Sequence, residues 1–583
     1  MKTKAILMIS TLFILMACEN QKGINNAKNN SYSPPVQHRT VVVKDKAVET
    51  KQEVEVEDTQ NNVVESKKPV HKHFKNKIKR NTKEAEIKMM NELDIVSEEP
   101  VKTEPVYHNT DEYDYLPEND YQPARQNPLS TFSIDVDNAS YSEVRRYLNM
   151  GHLPPTDAVR IEEMINYFDY SYKQPTGKHP FSVYTEVAQA PWNDNHKLVM
   201  IGIKGKELDY ENVKPGNLVF LIDTSGSMES SDKLGLVKKS FKILLDNLPK
   251  NSKISIVAYA GSAGVVLKST PVSDKETIIN ALDKLQAGGS TAGGEGIRLA
   301  YKIAENNFIK NGNNRVILAT DGDFNVGVSS TSEMVRLIKK EKEKDIYLTI
   351  LGYGMGNYKD GRMEQISNAG NGNYFYIDNF FEAKKVFQKD LLANMFTIAK
   401  DVKIQVEFNP TTVKAYRLIG YVNRKMKNKD FNDDTKDAGE LGPGHTVTAL
   451  YEIVPAGSNE KINGIDELKY QKTQVTGNTN ELLTLKLRYK PIKSNKSILM
   501  KYVVANNDKQ WQSASKNFRF ASGVAGFGML LRKSKYKGNT TAELVRKLVH
   551  NAKDYNDKYK NEFITLVDKY EEICGEERDK VER

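Results

Sequence analysis

The sequence predicts an α/β chain built on a doubly wound, mostly parallel, Rossmann-like domain. An N-terminal α/β segment and a C-terminal β-rich and helical region flank it, and a disordered tether precedes them. Three observations predict this. Between residues 217 and about 390, continuous apolar runs alternate with stretches at helical spacing, the pattern of a parallel sheet covered on both faces. After residue 400 the apolar period shortens to two, which marks antiparallel strands. Residues 19 to about 125 show no sustained period and are rich in Asn, Lys, Glu, Val and Pro.

Composition sets outer bounds. The 583 residues carry 85 Lys+Arg against 76 Asp+Glu, a net charge of +9, and only two cysteines. So few cysteines exclude a disulfide-stapled scaffold and a Cys-ligated metal centre. A mean hydropathy of −0.59 excludes a polytopic membrane protein. The charge excess is small for the length, so no nucleic-acid partner is expected.

At the N-terminus, Lys2 and Lys4 precede an apolar run from Ala5 to Met16, too short to span a membrane comfortably. Leu15-Met16-Ala17-Cys18 resembles a bacterial lipobox, which implies cleavage after residue 17 and lipidation of Cys18. Two or three acyl chains anchor far more firmly than one. The expectation is a protein lipid-anchored to a membrane of the bacterial cell envelope, facing the periplasm or the cell surface. Residues 18–125 then form the tether. Its basic cluster, Lys67 to Arg80, contains Phe74 as its single aromatic and reads as a solvated segment.

The flanking segment, residues 126–212, begins with the strand-like Thr131 to Val136. Helical spacing follows over Tyr141 to Leu148 and Arg160 to Phe168, then strands over Phe181 to Val187 and Leu198 to Ile203. The central domain, residues 213–395, opens on Leu218-Val219-Phe220-Leu221-Ile222, expected as a parallel strand buried on both faces. Further strands are read at Ile254 to Tyr259, Arg315 to Ala319, Ile346 to Leu351 and Tyr374 to Ile377. Helices are read at Lys233 to Leu248, Lys275 to Leu285, Ile297 to Asn306, Glu333 to Lys344, Met363 to Ala369 and Ala383 to Leu392. In the C-terminal region, residues 396–583, alternation marks Val402 to Phe408, Val447 to Ile453 and Leu483 to Tyr489, before helices at Gly523 to Leu531 and Thr541 to Ala552. Cys574 reads as a partly buried thiol on a C-terminal helix.

The loop after the first buried strand places Asp223, Ser225 and Ser227 at alternate positions. In an open α/β sheet the carboxyl ends of the strands are the ligand edge. Short oxygen side chains there suit a hard divalent cation, and Mg²⁺ in particular takes near-octahedral oxygen and keeps some water. Two more oxygens lie on loops of the same unit: Thr291, within Gly288-Gly289-Ser290-Thr291-Ala292-Gly293-Gly294, and Asp321, directly after another buried strand. An isolated Asp-x-Ser-x-Ser is more often a helix cap; co-occurrence with the other two elements, in order, favours the metal reading. Asp323 and Glu295 read as turn and helix-start residues, and His445 and His550 as structural. Asp135 and Asp137 suggest calcium, but two carboxylates fall short of its usual 6–8 oxygens.

These five positions resemble the metal-ion-dependent adhesion site of a von Willebrand factor type A (VWA) domain. The resemblance implies hydroxyl ligation by Ser225, Ser227 and Thr291, with Asp223 and Asp321 acting largely through water and hydrogen bonds. It implies a divalent cation, Mg²⁺ with Mn²⁺ or Ca²⁺ as alternatives, whose open position takes a carboxylate from a protein partner. Ser130 to Asp137 with Arg160 to Phe168 resembles the flank that precedes this domain in a group of bacterial lipoproteins. Tyr416 to Tyr421 and Gly444 to Tyr451 resemble their C-terminal region of unknown function. The expected function is therefore a membrane-anchored, metal-dependent protein-binding module rather than an enzyme. The alternatives are a metal-assisted hydrolase, which needs a general base that the motif does not place, and a purely structural envelope scaffold.

Overall fold

The computed structural model describes residues 111–208, 214–291, 293–322, 331–355, 359–462, 480–550, 552 and 557–582. The leader, Cys18 and most of the tether lie outside the described residues, as does Asp323. The end of the expected tether, residues 111–125, is instead packed into the fold, with Gln122–Pro123 paired to a strand of the C-terminal region and Ala124 fully buried. The N-terminal flank comprises β1 (Gln122–Pro123), β2 (Leu129–Ser133), α1 (Ala139–Asn149), α2 (Ile161–Asn166), β3 (Phe181–Ala190) and β4 (Asn193–Gly205). Neither Asn138 before α1 nor Arg160 before α2 makes a side-chain cap hydrogen bond; the Ser140 N–H in the first turn of α1 instead donates to the Glu163 carboxylate of α2 at 2.9 Å.

The central domain follows as β5 (Gly216–Asp223), α3 (Leu234–Asn247), β6 (Lys253–Tyr259), β7 (Ala263–Pro271), α4 (Lys275–Asp283), α5 (Gly293–Asn306), β8 (Asn313–Thr320), α6 (Thr331–Lys342), β9 (Ile346–Tyr353), α7 (Asp360–Ala369), β10 (Tyr374–Ile377), α8 (Phe380–Lys385) and α9 (Leu391–Met395). Its six-stranded sheet runs β10-β9-β8-β5-β6-β7, parallel except for β7 at the edge. Every residue of β5 is buried. Alternate side chains serve opposite layers: Leu218, Phe220 and Ile222 pack with α3, where Phe220 stacks on Phe241 at 4.0 Å, while Val219 and Leu221 pack with α5. That two-sided burial, at roughly 1.5–3 kcal/mol per large apolar side chain, is why the run is continuous rather than alternating. From β5 the chain moves outward on one side to β6 and β7, then returns across to β8 on the other. The carboxyl ends of β5 and β8 are therefore a topological switch point.

The C-terminal region comprises β11 (Ala399–Phe408), β12 (Val413–Ile419), β13 (Gly439–Leu441), β14 (Thr446–Pro455), β15 (Glu481–Lys490), β16 (Ile498–Ala505), α10 (Lys516–Leu531), α11 (Ala542–His550) and α12 (Lys558–Glu582). Its strands are interleaved with the flank. One sheet runs β1-β12-β14-β4-β3, and another runs β13-β11-β15-β16 with β2 added on β11. Helices α10 to α12 share a core with α1 and α2, in which Phe168, Phe520, Phe527 and Phe563 meet edge to face. Among the described residues no helix is long and apolar enough to cross a membrane.

Candidate metal centre

Asp223 ends β5, and its neighbours across the sheet hold its carboxylate. Oδ1 accepts from the Ser225 backbone N–H at 2.9 Å; Oδ2 accepts from the Tyr259 hydroxyl at 2.9 Å and the Thr320 hydroxyl at 3.3 Å. Tyr259 stands beside Asp223 in the β5–β6 register, so strand pairing itself brings its chain to this edge. Burial pushes the Asp223 carboxyl up to about 6, against the pull of its Ser225 hydrogen bonds and with some help from Asp321.

Past Asp223 the chain turns so that the Ser225 and Ser227 hydroxyl oxygens lie 3.0 Å apart. Ser225 is buried and Ser227 exposed, while Met228 inserts into the core and fixes the turn. Backbone hydrogen bonds stitch this loop to the one that carries Thr291. The Gly226 N–H donates to the Gly289 carbonyl at 3.0 Å, and the Gly288 N–H to the Thr224 carbonyl at 2.8 Å. Gly289 has φ +83°, a conformation that favours glycine. Thr291 follows two residues later and is half-buried.

Asp321 follows β8 and is fully buried. Its Oδ2 accepts from the Lys233 ammonium at 2.9 Å. Lys233 is seated against Gly354, whose φ is +72° and where a Cβ would fall 2.2 Å from Lys233 Cε. Beside the site a cleft of about 590 Å³ is walled by Ser227, Ser230, Lys233 and Gly354, with Arg146 and Met150 of the α1 end opposite.

The structure thus brings Asp223, Ser225, Ser227 and Asp321 to one sheet edge and ties the Thr291 loop to them. Neutral hydroxyls and two carboxylates held by hydrogen bonds form an all-oxygen donor set that fits a hard divalent cation. Among the described residues no three His, Cys, Asp or Glu side chains cluster as a metal site, so hydroxyl oxygens are what this one offers. Sequence reasoning missed Tyr259, Thr320 and Lys233. The first two were detectable as polar residues ending buried strands; Lys233 carried no such signal. Away from this edge, burial lowers the His445 imidazole to about 4, and its Nδ1 accepts from the Gly442 N–H at 3.3 Å. Cys574 is a half-buried free thiol on α12.

Comparison with known proteins agrees with the fold of the central domain. Residues 217–389 match the family model of the von Willebrand factor type A domain, residues 107–200 one described as von Willebrand factor, and residues 393–573 one described as "Uncharacterized protein YfbK, C-terminal". The chain is 42% identical over 470 residues to "Uncharacterized protein YfbK" of Escherichia coli (strain K12), covering 79% of this chain and 81% of that one. Among solved structures, "von Willebrand factor type A from Catenulispora acidiphila" is 16% identical with a TM-score of 0.37, covering 68% of this chain and 91% of that one. The ArnB paralog VWA2 from Sulfolobus acidocaldarius is 15% identical with a TM-score of 0.30, covering 68% of this chain and 93% of that one.

Proposed function

The chain belongs to the family of von Willebrand factor type A domain proteins that includes YfbK, and from that premise we propose that it is a membrane-anchored, metal-dependent protein-binding module. The observation that carries this reading is the pair of serine hydroxyls 3.0 Å apart, flanked by carboxylates from the ends of two adjacent strands. Ser225, Ser227 and Thr291 would hold the cation, Mg²⁺ by preference, with Mn²⁺ or Ca²⁺ as alternatives. Asp223 and Asp321 would balance its charge through hydrogen bonds and water. When bound, the ion supplies a strong electrophilic position for a carboxylate oxygen of a partner protein. The cleft walled by Ser230, Lys233 and the end of α1 receives the residues beside that carboxylate.

Binding rather than catalysis is the chemistry we assign. Asp223 is engaged by Ser225, Tyr259 and Thr320, and Asp321 by Lys233, so both carboxylates serve as acceptors of fixed hydrogen bonds. Lipidation at Cys18 would fix the chain to the cell envelope, with the residues from 18 to about 110 as an arm that gives the module reach.

The test is capture from native membranes by the full chain in Mg²⁺ and in EDTA, with parent, Asp223→Ala and Ser225→Ala compared. The expected outcome is a protein retained in Mg²⁺ and released by EDTA, and absent from both variants while they keep the parental circular dichroism. Equal Mg²⁺-dependent retention by Asp223→Ala would overturn the reading.

A further inference from the structure

The β15–β16 hairpin carries charge of one sign. From Lys486 to Ala505 there are six basic residues, Lys486, Arg488, Lys490, Lys493, Lys496 and Lys501, and no Asp or Glu. Lys486 pairs with Glu407 and Lys490 with Asp401, and Asp434 accepts from the Ser497 N–H at 3.1 Å. Arg488 donates to neutral oxygens, those of Asn432 and Ser497, each at 3.0 Å. Lys493, Lys496 and Lys501 are exposed, and none of the three makes an ion pair among the described residues.

The same hairpin exposes apolar side chains. Ile492 in the turn is 41% exposed, Ile498 and Leu499 at the start of β16 are 38% exposed, and Val503 is 61% exposed. Strand alternation separates two faces: Met500 and Val504 are buried in the core, while Leu499, Lys501 and Val503 take the opposite face. The register sets Arg488 beside Leu499 and Lys486 beside Lys501 there. β16 ends its sheet, so its far edge pairs with no strand among the described residues. One lysine on an exposed edge is the ordinary guard against strand pairing. Several apolar side chains set among cations, on a turn and an edge, go beyond that and mark a contact surface.

The chemistry of the hairpin selects its partner. Two copies would meet cation to cation, and a nucleic acid offers anions without an apolar layer. A lipid surface offers both, anionic headgroups with acyl chains directly beneath. We propose that the β15–β16 hairpin docks on an anionic lipid surface. Ile492, Ile498 and Leu499 enter the headgroup boundary. Arg488, Lys493, Lys496 and Lys501 take lipid phosphates, with their stems along the apolar layer. This contact is independent of lipidation at Cys18 and of the metal centre, and it orients the C-terminal region at the membrane.

The test places an environment-sensitive dye on Ile492→Cys in the full chain. Cys18→Ser and Cys574→Ser remove the other thiols and the site of acylation. The expected outcome is a blue shift with vesicles of phosphatidylglycerol and phosphatidylcholine, and little with phosphatidylcholine alone. The same dye on Phe308→Cys, which is 43% exposed but on the central domain, should not shift. This comparison reads the hairpin itself, whatever the basic cluster at Lys67 to Arg80 binds. Lys493→Glu with Lys496→Glu should weaken the dye-reported binding about tenfold or more, and Leu499→Ser severalfold, with the parental circular dichroism kept. If the reversed-charge chain fails to fold, Lys493→Gln with Lys496→Gln replaces it, and the Ile492 and Phe308 comparison decides without either. An Ile492→Cys dye that does not shift with anionic vesicles, or shifts no more than at Phe308→Cys, overturns the proposal. So does an unchanged titration in the lysine variants. A shift produced by raised protein concentration or by duplex DNA, and not by vesicles, overturns it in favour of a second copy or a nucleic acid.

Discussion

At the scale of single residues, the candidate metal site turns on Lys233. Its ammonium, only 11% exposed, pairs with the fully buried Asp321 at 2.9 Å, a cation fixed at the edge where the divalent ion is proposed to bind. Lys233→Met removes it and leaves Asp321 without that partner. In EDTA the variant should be destabilised, by up to about 3–5 kcal/mol for a broken buried pair. In Mg²⁺ it should recover more stability than the parent and bind the ion more tightly. Denaturant melts with and without Mg²⁺ measure both effects, and an unchanged Mg²⁺ response would mean that Lys233 and the ion do not compete. The five oxygen-bearing residues were legible in the sequence because each follows or adjoins a recognisable loop or strand end. Lys233 was not, and Tyr259 and Thr320 showed only as polar residues ending buried strands, without their link to Asp223. Their contribution depends on which strands are neighbours, and spacing along the chain does not carry that.

At the scale of elements, the close approach of α5 to β5 and β6 shapes the site from beneath. Gly296 makes that approach possible: a Cβ there would lie 3.0 Å from Tyr259 Cβ and 3.1 Å from Leu221 Cδ1. Gly296→Val should force the helix outward at about 1–3 kcal/mol, the usual range for overpacking. It should also move the Tyr259 hydroxyl off Asp223 and weaken Mg²⁺ binding. Chemical denaturation and metal titration of the same variant test the coupling: a stability loss with unaltered Mg²⁺ affinity would separate the helix from the site. The central strands and helices were legible because two-sided burial writes continuous apolar runs. Strand β7 was not. It is an antiparallel edge strand whose residues are exposed or half-buried, with Val265 at 45% exposure, so no apolar period marks it.

At the scale of the whole molecule, the flank and the C-terminal region share sheets and a helical core. Strand β2 pairs with β11 across a sequence separation that leaves no local signal, and β4 pairs with β14. This is why the sequence yields individual strands there but not their order. Arg145 of α1 joins three regions: it donates to Asp378 at 2.8 Å, Glu382 at 2.8 Å and Glu562 of α12 at 3.1 Å, itself wholly buried. Arg145→Ala strands buried carboxylates and should cost about 3–5 kcal/mol, seen as a lowered denaturation midpoint; a loss below 1 kcal/mol would show that the network is dispensable. A second network carries a pH signature. Burial pulls the His196 imidazole down, but its hydrogen bonds to Glu452 at 2.8 Å and Glu460 at 2.6 Å outweigh that and raise its pKa. A raised value means that the stabilisation is fully present below the ordinary histidine pKa of about 6.5 and is lost as pH rises through the folded value. The parent should therefore lose stability on going from acid to alkaline pH more steeply than His196→Gln, measured by melting temperature across that range. Parallel profiles would contradict it.

The most direct measurement of the central claim is a crystal structure of the protein soaked in Mn²⁺, read by anomalous diffraction. The expected result is a peak at the β5–β8 edge bonded to the hydroxyls of Ser225, Ser227 and Thr291, with Asp223 and Asp321 linked to it through water. An edge left empty at saturating Mn²⁺, with Lys233 still paired to Asp321, would contradict it.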